Sequence, residues 1–256
     1  MSQTRVYLDA SLYPDSVLHL PADAAKHITR VLRLRVGMSL VLFNGQGGEF
    51  DAEIVEIRGQ NVMVQVGSYY PVDRESPLSL SLCLVQAMAR NERMDLVVQK
   101  AVELGVSRIE PVFTERSVVR LDRQRAERRL RHWRNIVISA CEQCQRNRIP
   151  EISKPVSLGN WMAADNTDRG TRLLLHPGAE KGLPNVEREQ NSRISLLVGP
   201  EGGADRGRVR FCNRERFYPH WPWTLDFSHG NRCHSRPYRH SVLLGGSMKV
   251  SEKQKF

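Results

Sequence analysis

Apolar and polar positions follow two different rhythms along this chain. Over the first seventy residues the runs are short. "MSLVLFNG" (38–45), "GEFDAEIVEI" (48–57) and "NVMVQVGSYY" (61–70) are β-branched or aromatic stretches separated by Gly and Asn turns, which predicts strands. Before them, "PADAAKHITRVLRLRVG" (21–37) has helical spacing, with Ala24, Ile28, Val31 and Leu32 as its expected apolar face. Lys26, Arg30 and Arg33 then share another face at i, i+4 and i+7. "PVDRESP" (71–77), rich in Pro and charge, reads as a linker.

From residue 78 the rhythm lengthens. "LSLSLCLV" alternates Leu with small residues, predicting a strand with one strongly buried face. "NERMDLVVQKAVELG" (91–105) offers Asn91 as N-cap, with Met94, Val97, Val98, Ala101 and Leu104 at helical spacing and Gly105 as the stop. "SRIEPVF" (107–113) predicts a strand and "LDRQRAERRLRHWRNIVISACEQC" (121–144) a long helix. "TRLLLHP" (171–177) and "SRISLLVGP" (192–200) are strands that end abruptly. Alternating strand and helix imply βαβ units and a mainly parallel sheet.

At 256 residues, 40% apolar and 26% charged, the chain fits one large domain or two modest ones. No run of eighteen apolar residues and no apolar leader appear, so neither a membrane span nor a secretory signal is expected. Five scattered cysteines suit a reduced, cytoplasmic protein. The net charge of +10 suggests a polyanionic partner, but residues 204–256 alone carry eight Arg and three Lys against two Asp and two Glu, or +7. The preceding 203 residues hold only +3, so local clusters must make the case for nucleic acid.

In a parallel sheet, ligands bind beyond the carboxyl ends of strands, where "LLLHPG" and "LLVGPEGG" end. Gly199, Gly202 and Gly203 would let backbone amides approach a ligand, Pro200 stiffens the turn and Glu201 could accept hydrogen bonds. A tight strand-to-helix turn with a solvated Glu explains the same residues. No Lys-Ser/Thr pair follows the glycines and the G-x-G-x-x-G spacing is missing, which excludes a P-loop and a dinucleotide fingerprint. "CEQCQRNRIP" (141–150) holds a lone C-x-x-C, too few ligands for zinc and at the wrong end of a helix for redox work. Its polar run Glu142, Gln143, Arg146, Asn147, Arg148 could hold a base or phosphate, or simply complete a helix terminus. The Lys26–Arg30–Arg33 face and "RQRAERRLRHWR" (123–134) are each either solvated or RNA-facing.

Taken together, "HITRVLRLRVG", "FDAEI", "ERMDLVVQKAVELGVSRIEPVFTERS", "HWRNIVISACEQCQRNRIPEI", "LLLHP" and "LLVGPEGG" resemble, in order and spacing over residues 5–203, the RsmE family. These are bacterial methyltransferases that modify N3 of one uridine in 16S rRNA of the small ribosomal subunit. The resemblance implies a PUA-like RNA-binding barrel (1–72) followed by a SPOUT-type α/β methyltransferase domain (73–203) whose C-terminal segment threads a trefoil knot. It implies a homodimer that binds S-adenosylmethionine and needs no metal. By motif, Leu175, His176 and Pro177 with Gly199, Pro200, Glu201, Gly202 and Gly203 would line the cofactor pocket. Lys26, Arg30, Arg33, Arg146 and Arg148 would face RNA, and Glu201 and Arg146 are the candidates for catalysis.

The tail 204–256 departs from that family, lacking its "RTETA"-like loop and its apolar terminal helix. Read one base out of frame, codons permitted for this tail spell a family-like ending that includes "RTETAA" and stops within Ser247–Met248–Lys249. The tail is therefore expected to be a frame-shifted ending, which leaves the knot incomplete. A divergent extension acting as an RNA-binding arm is the other reading, and with it a non-catalytic RNA-binding protein.

Overall fold

Backbone pairing sorts the chain into two sheets. The computed structural model describes residues 3–75, 81–114, 122–164, 170–175 and 193–199, together with the backbone of 217–220. The expected knot lies outside these residues.

The first sheet uses the strands the alternation predicted, with two short ones added. β1 (Arg5–Tyr7) and β2 (Val17–His19) precede helix α1 (Ala22–Lys26), and β3 (Ser39–Phe43), β4 (Glu49–Arg58) and β5 (Asn61–Tyr70) follow. The strand order is β1-β3-β4-β5-β2, with β1 parallel to β3 and the other pairs antiparallel. Inward-facing Leu40, Leu42, Ile54, Val62, Val64 and Val66 pack with Val6, Leu20, Ala25 and Ile28 into one core.

The helical segment departs from its expected face. After α1 the chain widens into a π turn over His27–Val31, and the Leu32 amide donates to the His27 carbonyl instead of to a carbonyl four residues back. This extra residue rotates the following side chains. Ala25 and Ile28 are buried, whereas Val31 and Leu32, expected inside, are 65% and 38% exposed. The turn ends at Arg33 with φ of 52°, a left-handed conformation uncommon for an arginine.

The second sheet is parallel throughout. β6 (Ser81–Ala87), helix α2 (Asn91–Glu103), β7 (Arg108–Phe113) and helix α3 (Arg123–Cys144) form the first βαβα run. Short strands β8 (Glu151–Ile152) and β9 (Val156–Ser157), helix α4 (Leu158–Ala164), β10 (Thr171–Leu175), β11 (Arg193–Val198) and β12 (Phe217–His220) complete it. The order is β12-β10-β11-β6-β7-β8, with β9 also pairing β7. β12 falls inside the tail that shows no period in sequence, and it runs parallel to β10.

Both faces of this sheet are covered. Leu84 and Ile109 point to a core built with α2 and α3, in which Trp133 is fully buried. Cys83, Val85, Ala87 and Val112 point the other way, against Leu158, Trp161 and Met162 of α4. β6 was expected to bury one face, but α4, too short to show a period, covers the second.

Candidate functional site

The strand order reverses between β6 and β11. From β6 the chain moves to one side, to β7, and from β11 it moves to the other, past β10 to β12. At such a reversal the connections diverge and leave a crevice outside the carboxyl ends of the two strands. Register brings the predicted loops to this edge together. Leu175, the last residue of β10, pairs with Val198 of β11, and Val198 on its other side pairs with Gln86 of β6. Gly199 follows directly. A Cβ placed on Gly199 would meet no atom of the described residues within 4 Å.

Gln86 was not singled out in the sequence, and only the register reveals it. It is 6% exposed and its Nε2 donates to the Ala87 carbonyl at 2.9 Å, directly below the crevice. Arg90, exposed at the start of α2, leaves the same edge. His176, Pro177, Pro200, Glu201, Gly202 and Gly203 lie outside the described residues.

Arg146 is placed elsewhere. It follows α3 at the amino-terminal edge of the sheet, where its Nη1 donates to the carbonyls of Val102 (3.0 Å) and Val106 (2.8 Å), just before β7 begins. Its Nε donates to Glu75 at 2.7 Å, and the residue is 8% exposed. A strand of six residues spans about 20 Å, so the sheet separates Arg146 from Leu175 and Gly199. Its Nε and Nη1 are thus engaged in tying the linker residue Glu75 to the α/β unit.

That junction is a charged lattice no single motif announces. Glu49 of β4 accepts from Arg5 Nη1 at 2.6 Å and from Arg74 Nε and Nη2 at 2.8 and 2.6 Å. Arg5 also donates to the Asn147 side chain and lies over the Phe43 ring. These donors, Arg74 foremost, hold the Glu49 carboxyl well below the usual range, at about 2. Glu75 takes the backbone amides of Asn147 (3.0 Å) and Arg148 (2.8 Å) as well as Arg146. The segment read as a linker is thus bolted to both units through Arg74 and Glu75. Asn147 is buried and donates to the Val72 carbonyl at 3.1 Å, while the Arg148 side chain reaches solvent.

The remaining candidates divide by exposure. Lys26, Arg30 and Arg33 are all exposed, beside exposed Val31, Val36 and Met38. Glu142 is half-buried and accepts from the Tyr7 amide at 3.0 Å, with burial raising its pKa. Gln143 is exposed. Cys141 is buried, and desolvation pushes its thiol up to about 12, which suits packing and not redox exchange. Among the described residues no group of three or more His, Cys, Asp or Glu side chains could hold a metal ion.

Comparison with known proteins places the chain among RNA methyltransferases. An RNA methyltransferase domain matches residues 74–219, sixteen residues beyond Gly203, and an RNA methyltransferase PUA domain matches residues 20–66. Ribosomal RNA small subunit methyltransferase E of Buchnera aphidicola subsp. Schizaphis graminum is 33% identical over 199 residues, covering 78% of this chain and 79% of that one. A methyltransferase of Legionella pneumophila solved with SAM aligns at a TM-score of 0.81 and 36% identity, covering 88% and 92%. Ribosomal RNA small subunit methyltransferase E of Neisseria gonorrhoeae, bound to S-adenosyl methionine, aligns at 0.78 and 32%, covering 86% and 88%.

Proposed function

The chain belongs to the ribosomal RNA small subunit methyltransferase E family, a PUA-like unit joined to a SPOUT-type α/β domain, and from that premise we propose that it methylates N3 of one uridine in 16S rRNA, using S-adenosylmethionine. One observation carries the reading. The segments that carry the two family loops follow β10 and β11, which end side by side next to the strand-order reversal, with Leu175 in register with Val198.

That edge fits the cofactor. Leu175 and Gly199 with the loops they begin would hold it, the lack of a Cβ at Gly199 admitting close approach to backbone amides. When bound, the cofactor supplies a methyl group already made electrophilic by its sulfonium. The rest falls to the protein. Uracil N3 carries an imide proton that must leave as the nitrogen attacks in line, so a base or a cationic anchor for the developing anion assists. Of the two candidates, Arg146 is engaged at the opposite edge, which leaves Glu201, two positions after Gly199 in sequence, as the one we favour. N3 lies on the Watson–Crick edge, so the target base must be unpaired and splayed out to reach the crevice. Exposed Lys26, Arg30 and Arg33 would position the RNA through its phosphates.

The tail favours a second reading. Its sequence lacks the family's ending, and the RNA methyltransferase match stops at residue 219. On this reading the protein binds RNA without the cofactor. The test is incubation with radiolabelled S-adenosylmethionine and small subunits from a strain lacking the modification, followed by mass mapping of the RNA. Methyl incorporation at one uridine N3 supports the enzyme. RNA binding without incorporation supports the non-catalytic protein. Resequencing the gene across codons 195–256 decides whether the tail arises from a displaced frame.

A further inference from the structure

Helix α3 presents one face that neither the cofactor edge nor the junction uses. Arg125, Arg128 and Arg131 fall within about 120° of one another around the helix, on the side away from buried Leu130, Trp133 and Val137. All three are exposed. Like charges three residues apart repel, so this spacing costs the isolated helix stability. Of the nearby acids, Asp122 pairs with Arg125 at 3.3 Å and Glu127 with Lys154 at 2.5 Å. Arg128 and Arg131 form no ion pair with any described residue.

The same face continues without charge. His132, Asn135, Ser139 and Gln143, with Ile136, Ala140 and Gln99 of α2, line a groove of about 340 Å³. His132 is held in place by Asp95, whose carboxylate lies 2.8 Å from its Nε2. Amide, hydroxyl and imidazole groups with an apolar floor offer hydrogen bonds and contact to a base, beside cations suited to phosphate.

Placement gives this face its meaning. α3 follows β7 and runs back along the parallel sheet, so its arginine end lies at the carboxyl edge and its Gln143 end at the junction. Its 22 residues span about 33 Å. Exposed Arg90, at the start of α2, stands at the carboxyl end and exposed Arg148, bridged to Gln46 of the first sheet's β3–β4 turn, at the other.

We propose that this face of α3 is a track for single-stranded RNA, which takes phosphates on Arg125, Arg128 and Arg131 and a base in the neighbouring groove, leading from the first sheet to the cofactor edge. The proposal rests on the reading of the chain as an RNA-modifying enzyme. It adds a second contact surface, on the α/β unit itself, that keeps the strand from swinging away from the crevice.

The test is fluorescence anisotropy of the full chain with a labelled single-stranded 16S rRNA fragment over a salt series. The proteins compared are the wild type, R128A/R131A and, on the first sheet, R30A/R33A. Two lost phosphate contacts should lower the slope of log affinity against log salt by about 1.4 and the affinity at 0.1 M salt on the order of tenfold. R128A/R131A should do this with an unchanged melting temperature, because both side chains are exposed. An unchanged slope in R128A/R131A alongside a reduced one in R30A/R33A overturns the track and leaves the RNA reading standing. Absence of RNA binding by the wild type at low salt overturns both.

Discussion

Replacing Glu49 with Gln tests the charged lattice at the junction directly. The change keeps the shape of the side chain and removes its charge, leaving the Arg5 guanidinium, whose side chain is 4% exposed, without a carboxylate. The magnitude follows from linkage. Glu49 is lowered from 4.5 to about 2 in the folded chain. A carboxyl depressed in this way contributes stability that is fully present above its unfolded value and is lost as the pH falls through its folded one. At pH 7 the difference of about 2.5 units is worth about 3 kcal/mol. At pH 3 the same expression leaves about 1.4 kcal/mol. The Arg74 side chain, 35% exposed, shares in this interaction, so solvent screening makes these figures upper values. Urea titrations of wild type and E49Q at pH 7, 5, 4 and 3 measure it. The gap between the two proteins should be near 3 kcal/mol at pH 7 and 5 and should narrow by more than half at pH 3. A gap that is the same at every pH would show that Glu49 acts through packing and not through its charge, and the argument would fail.

Three further outcomes are expected. Glu75→Ala strips acceptors from the Arg146 guanidinium and from the amides of Asn147 and Arg148, so trypsin should cut after Arg74 much faster in the variant than in the wild type; equal rates would mean that the linker is not held by Glu75. Asp95→Ala leaves the Nε1 of fully buried Trp133 without its 3.1 Å acceptor and should lower stability by about 1–3 kcal/mol in urea titration, whereas the exposed change Arg128→Ala should stay within about 0.5. With its thiol raised to about 12, Cys141 at pH 8 should carry on the order of a thousandfold less thiolate than a free cysteine, so peptide mapping after brief iodoacetamide treatment should find it unmodified until urea is added.

Where the apolar period is long and regular, pattern and structure coincide. Met94, Val98 and Ala101 face the core from α2, and β3, β4 and β5 occupy the runs that alternation marked. The misses have local causes. Leu104, expected on the apolar face of α2, is 59% exposed because the helix ends at Glu103 and the chain turns away at Gly105, with φ of 89°. The π turn at His27–Val31 inserts a residue into the helical count, which no 3.6-residue template can anticipate. β1, β2, β8, β9 and α4 are too short to show any period.

The candidate site divides along the same line. Glycine next to a buried strand, and a second strand ending in His-Pro, mark two candidate ligand loops in the sequence, because the signal is local: a backbone that must turn sharply and leave room. Whether those loops meet is a question of strand order. Only the tertiary structure sets β10, β11 and β6 side by side with Leu175, Val198 and Gln86 in register. The same holds for the polar run after α3. Sequence shows five candidate hydrogen-bonding residues between positions 142 and 148, but Arg146 and Asn147 turn inward to bind Glu75, Glu49 and three carbonyls, while Arg148 stays exposed. Their partners lie between 40 and 142 positions away in the chain. Local composition determined which segments form strands, helices and sharp turns, since those choices depend on neighbours within a few residues. Which charges are buried, and which loops share an edge, was decided by packing, because the energy of a buried charge depends on partners that only the folded chain brings near.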